Sequence, residues 1–280
     1  SPVYGTGKAV ADLTADIRGW YRHLTAPCIG AYEREVEVTT ADAAGRVTRR
    51  TVAGRTYDYS YDSRGQLISY TDNQNSNNDA IYTYDFQGRR VRMVLGSGRY
   101  YRFVYESEDA VVEYKDVNGD GEVNHPGEFT RVYWLLPDLD QRIGFIEYDH
   151  LNNAKTYYYL TDQVGSVLRV VDEDGDVVNQ YDYDAYGSRR EANSFEGIEN
   201  RYQFQGREWD AHRQDYYYRN RIYVPEWGCF TGPDMNLGNG ILGEPNGVGS
   251  YLFCGNDPVD FTDPMGLSFW SNVLKGDFDS

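Results

Sequence analysis

Basic charge is scarce in this 280-residue chain: 27 lysines and arginines stand against 44 aspartates and glutamates, a formal net charge of −17. Nucleic-acid binders draw much of their affinity from neutralising phosphates, so this deficit argues against a nucleic-acid partner and for basic partners or cations. Cysteine is nearly absent. Cys28, Cys229 and Cys254 are odd in number and lack CxxC spacing, which argues against a disulfide scaffold and against zinc. The four histidines are scattered. No run of 18 apolar residues occurs, so no membrane-spanning helix is expected. The opening "SPVYGTGK" has neither an initiator Met nor an apolar signal region, which predicts a fragment or a processed form.

Tyrosine, by contrast, is abundant, with 27 copies. The stretches "YSYDSRGQLISYTD" from Tyr59, "YTYDFQGRRVRMV" from Tyr82 and "YDYDAYGSRREA" from Tyr181 repeat one pattern. Tyrosines alternate, an Asp follows, and a Gly comes three residues later. Looser copies start at Val38 and Tyr158. Alternation is the period of a strand with one face buried. Asp followed by Gly is turn chemistry, because Asp caps the turn and Gly accepts positive φ. The unit is strand, tight turn, strand, and its repetition predicts a ribbon of antiparallel hairpins. Only the start differs: Val10, Leu13, Ile17, Tyr21 and Leu24 recur at helical spacing, which predicts a helix over about residues 8–25. The Gly-rich stretch from Gly232 to Gly249 is expected to be a long loop.

Three groups of residues invite a chemical reading. In "DVNGDGEVNHPGE", Asp116, Asn118 and Asp120 hold positions one, three and five of a calcium loop, with Gly121 at six. Glu122 and Glu128 complete the acidic set. Glu128 lies one step beyond the twelfth position, which is Gly127. The alternatives are a Ca²⁺ site and an Asx-rich hairpin tip. In "GNDPVDFTDPMGL", two prolines follow aspartates, Asp257 and Asp263. Either these are turns, or a carboxylate of the segment pairs with another to hydrolyse an amide, one acting as base and its partner as acid. Cys229 and Cys254 have no histidine pattern to activate a thiol, so they are expected to be packing residues. Trp134, Trp209 and Trp227 are expected in sheet packing rather than in a sugar-binding surface.

The ordered set of YD units, with "QFQGREWDAHRQDYYYRNRIYVPEWGCFTGPD" and "GNDPVDFTDPMGL" at its end, resembles the YD repeats of Rhs proteins, toxin-complex C subunits and teneurins. The likeness covers roughly residues 36–267. It implies an all-β, curved or spiral shell of hairpins that encloses a C-terminal toxin polypeptide, closed by an inward-turned C-terminal plug. On that pattern residues 1–35 are a helix and linker, 36–225 the shell, 226–267 the core-terminal motif and plug, and 268–280 the start of a variable toxin region. The resemblance also implies aspartyl self-cleavage after Leu267, with Asp263 and Asp234 as the carboxylates; Cys229 stands where the family carries Arg. Self-cleavage would be the chain's only enzymatic activity, and no cofactor is required beyond the Ca²⁺ considered above. The implied partners are the chain's own toxin segment and a delivery machinery, at a secreted or cell-surface location in a bacterium. The alternative from the same family is an extracellular adhesion or recognition module without catalysis.

Overall fold

The computed structural model describes residues 38–52, 54–234, 248–267 and 270–271. The helix expected over residues 8–25, Cys28 and most of the Gly-rich loop lie outside the described residues. Fourteen strands, from β1 (Val38–Ala41) to β14 (Phe195–Glu196), form one antiparallel sheet in which each strand pairs with its sequence neighbours. This is the expected ribbon of hairpins, and among the described residues the sheet does not close on itself.

Each repeat turn is built the same way. In the turn between β3 (Arg55–Tyr61) and β4 (Leu67–Asp72), the Asp62 carboxylate accepts from the N–H groups of Arg64 and Gln66, both at 2.9 Å. Gly65, at φ +86°, donates to the Asp62 carbonyl. Asp42, Asp85, Asp162, Asp172 and Asp184 cap their turns with the same two bonds, to the second and fourth residues beyond. The register slips where the chain leaves the turn, pairing Tyr61 with Leu67 and Tyr84 with Arg90. Such a bulge frees a backbone carbonyl from the ladder, and the next repeat uses it. The tyrosine just before the next Asp donates its hydroxyl there: Tyr61 to Val47, Tyr84 to Leu67 and Tyr183 to Val167, at 2.8–3.0 Å. Tyr105 makes the same bond to Arg90 at 2.9 Å. The Tyr-Asp pair thus does two jobs: Asp closes its own turn and Tyr ties it to the preceding one.

The inward tyrosines, among them Tyr57, Tyr59, Tyr70, Tyr82 and Tyr101, form one buried face. A second sheet lies against it, made of β15 (Glu208–Asp210), β16 (Asp215–Tyr218), β17 (Arg221–Val224) and β18 (Cys229–Phe230). Tyr217 and Ile222 of this sheet join the tyrosine cluster, while Tyr216, Tyr218, Tyr223 and Phe230 pack on its other side with Phe204 and Phe253. All eight residues of β16 and β17 are buried, because the two strands are covered on both faces. Buried ion pairs tie the layers. Arg90 meets Glu208, and Arg201 meets Glu113 at 2.6 Å. One expectation is corrected here: Cys229 is disulfide-bonded. Counting cysteines missed it because an odd total excludes only a fully paired set. Cys254 is free and buried.

Candidate scission site

Three side chains meet beneath the second sheet. Arg221 opens β17, Asp234 follows β18, and Asp263 follows β19 (Phe261–Thr262). Asp234 and Asp263, the two aspartates singled out in the sequence, are both buried. One Nη2 atom of Arg221 donates to Asp234 Oδ2 at 3.2 Å and to Asp263 Oδ2 at 3.0 Å. The two oxygens therefore lie within two hydrogen-bond lengths of each other. Nη1 donates to the Ser250 carbonyl at 3.0 Å, and the guanidinium lies 3.5 Å from the centre of the Phe230 ring. Burial pulls the Arg221 pKa down, against the raising effect of Asp263 and Asp234.

Arg221 is the residue that sequence reasoning missed. The family resemblance implies a guanidinium at position 229, which is Cys229. It comes instead from the neighbouring strand, since β17 pairs with β18 through Val224 and Cys229. The available signal was "RNR" at 219–221, arginines set inside an otherwise apolar, aromatic strand pair.

Arg219, Asn220 and Arg221, together with Arg207, hold the segment after Asp263. Pro264 O accepts from Arg207 Nη1 at 3.0 Å and from Arg219; Met265 O accepts from Asn220 Nδ2 at 2.9 Å; Gly266 O accepts from Arg221 Nε. Leu267 N–H donates to Asp263 Oδ1 at 3.0 Å. The peptide unit joining Gly266 to Leu267 is thus gripped at both polar ends, its carbonyl by Arg221 and its N–H by Asp263. Gly266 has φ +65°, and a Cβ there would lie 2.4 Å from the Tyr218 carbonyl. Only glycine lets this turn lie so close to β16. Ser268, on the far side of the expected scission point, is outside the described residues. Burial, reinforced by the nearby Asp263, raises the Cys254 thiol pKa well above its usual range, so this thiol is inert.

The acidic loop lies elsewhere. Asp116 and Glu128 are buried and face inward, but as acceptors of backbone N–H groups. Asp116 takes those of Asn118, Gly119 and Gly121, and Glu128 takes those of Val117, Asn124 and His125. Asp120 accepts from Asn118 Nδ2, and Glu122 from Asn124 Nδ2. Among the described residues, no three His, Cys, Asp or Glu side chains converge as metal ligands. The "DEDGD" tip is a repeat turn capped by Asp172. Trp209 packs on Tyr216 and Trp227 on Arg50, as sheet packing requires, while Trp134 packs on Tyr158 with its ring tilted.

Residues 29–116 match the Teneurin YD-shell family. The tRNA3(Ser)-specific nuclease WapA of Bacillus spizizenii is 27% identical over 81% of this chain. The chain is related to the Rhs YD-repeat proteins. Toxin protein Tse5 of Pseudomonas aeruginosa is also 27% identical to this YD-repeat chain over 81% of its length. The crystal structure of TcdB2-TccC3 superimposes with a TM-score of 0.63 at 19% identity, covering 81% of this chain and 11% of the other, and shares its fold. The YD-repeat chain spans 9% of WapA and 18% of Tse5. Among its described residues, no helix is long and apolar enough to cross a membrane.

Proposed function

We propose that this chain is a segment of an Rhs-type shell that encloses a C-terminal toxin polypeptide and releases it by self-cleavage after Leu267. The observation that carries the proposal is the Arg221 clamp, which joins Asp234, Asp263 and the Gly266 carbonyl in one buried site. An internal amide is cut once, so positioning supplies much of the acceleration. Asp263 holds the Leu267 N–H, and Arg221 holds the preceding carbonyl; together they fix the approach to the Leu267–Ser268 bond. Water attack at the Leu267 carbonyl requires one carboxylate as base and a protonated partner as acid. The guanidinium between the two offsets the repulsion of the paired carboxyls.

The enclosed polypeptide is the natural partner of such a shell. We place the protein outside the cytoplasm, secreted or at a bacterial surface. The adhesion alternative draws on the match to the Teneurin YD-shell, and it predicts no chain scission. The experiment is intact-mass analysis of the chain expressed with its natural downstream sequence. A cut between Leu267 and Ser268, lost in Asp263→Asn and slowed by Arg221→Lys, is expected. An uncut chain over several days at both mildly acidic and neutral pH refutes the self-cleavage reading.

A further inference from the structure

Two residues beside the aspartate clamp adopt backbone that favours glycine without being glycine. Gln205 has φ +49° and Arg219 has φ +54°. A side chain in this region is strained, and such residues persist where the surrounding structure holds them for a purpose. For Arg219 the purpose is in view, since its guanidinium donates to the Pro264 carbonyl and pairs with Asp140. Gln205 has one of the same kind. It is buried, and its Nε2 donates to the Pro258 carbonyl at 3.1 Å and to the Phe261 carbonyl at 3.0 Å. Its Oε1 accepts from the Tyr218 hydroxyl at 3.3 Å. A side-chain amide has two N–H donors, and both are spent on this one segment. The reversed amide would set its oxygen against two carbonyl oxygens, so the network fixes a single orientation.

The turn that carries Gln205 is itself anchored to the large sheet. Gln205 N–H donates to Ser166 Oγ at 3.1 Å, and Val167 N–H donates to the Gln203 carbonyl at 3.1 Å. Both anchors stand where β12 (Val167–Asp172) begins. From there the turn reaches the scission segment on both sides of Asp263. Gln205 holds two carbonyls before it, and Arg207 holds the Pro264 carbonyl after it. These bonds go to backbone, so they set the path of the chain whatever side chains it carries. Phe261 belongs to β19, which pairs with β20 (Trp270–Ser271). The connection between these two strands carries the Leu267–Ser268 amide. Gln205 thus grips the strand that leads directly into Asp263.

We infer that Gln205 is a positioning residue for chain scission, holding the backbone from which Asp263 meets Asp234 and the amide to be cut; this rests on the self-cleavage reading above. It acts through the Pro258 and Phe261 carbonyls rather than on the reacting atoms. Position is what a single-turnover cut depends on, and a displacement of about 1 Å costs on the order of 10²-fold in rate.

The test follows scission by intact mass, in the chain with its natural downstream sequence, and stability by urea unfolding. Gln205→Asn keeps the amide but makes it one carbon too short to reach both carbonyls, while asparagine accepts positive φ more readily than glutamine. Gln203→Asn is the control. Gln203 is buried at the head of the same turn, yet its Nε2 donates to Glu196 and to the Asn200 carbonyl. Each variant gives up two side-chain bonds, so their unfolding midpoints should fall by similar amounts. Only Gln205→Asn should slow scission, by about tenfold or more. If Gln205→Asn unfolds the chain, Tyr218→Phe takes its place; it removes only the hydroxyl that orients the Gln205 amide and should slow scission severalfold, and a parental rate overturns the inference. A folded Gln205→Asn chain cut as fast as its parent also overturns it, as does equal slowing by Gln203→Asn, which assigns the effect to the turn as a whole. In these cases the self-cleavage reading stands. A parent chain that stays whole refutes that reading and the positioning role together.

Discussion

Replacing Tyr84 by phenylalanine isolates the bond that ties one repeat to the next. The Tyr84 hydroxyl donates to the Leu67 carbonyl at 2.8 Å, at the bulge of the preceding repeat where Leu67 pairs with Tyr61 and leaves the regular ladder. Burial, only partly countered by the nearby Arg90, pushes the Tyr84 phenol up to about 12, which reports how far the hydroxyl is from water. Removing it forfeits a net contribution of about 1 kcal/mol, and up to about 3 kcal/mol if the Leu67 carbonyl finds no water. For a chain of this size each kcal/mol lowers Tm by roughly 2–4 °C. The ring itself stays, so no cavity term enters. Tyr158→Phe is the control: Tyr158 lies on the opposite, 42% exposed side of the sheet, where a lost hydroxyl should change stability by less than about 0.5 kcal/mol. Urea unfolding of the two variants beside the parent measures the difference. If Tyr84→Phe and Tyr158→Phe unfold at the same midpoint, the tyrosine bond between repeats carries no weight in holding the hairpins in register, and the account of the YD pair is wrong.

Two further outcomes test separate parts of the structure. Burial alone would raise the Asp72 carboxyl, but hydrogen bonds from Arg55 and Asn78 outweigh it and hold the group at about 2. Its folded pKa is depressed, so its contribution of at most about 2 kcal/mol is complete above pH 4 and is lost as pH falls toward 2; Asp72→Asn should lower stability at pH 7 and flatten that acid slope, and an unchanged slope refutes the pairing. Calorimetry with Ca²⁺ decides the acidic loop: a saturable heat that Asp120→Ala weakens supports a calcium site, and equal heats in the two proteins refute it.

The local rules were written in the sequence. Alternating tyrosines specify a strand with one buried face, and Asp with a glycine three residues on specifies the turn, because both depend only on neighbours within about five residues. That is why the hairpin ribbon around Asp62, Asp85 and Asp184 could be read directly. The sequence also marked Asp234, Asp263 and the glycine of "DPMG", whose need for positive φ is again local. Partners far apart in the chain were decided by the tertiary structure. Arg221 reaches Asp263 across 42 residues of sequence, and no periodicity encodes that distance. The guanidinium sought at position 229 came from the adjoining strand, because a paired strand offers an equivalent place in space at a different place in sequence. The buried ion pairs were equally hidden: Arg90, Arg142, Arg207 and Arg219 come from distant parts of the chain, and their charge becomes a problem only when folding removes them from water together. In sequence the chain is acidic only in total, and only the packing of two sheets brings these arginines together with Asp109, Asp140 and Glu208 out of water.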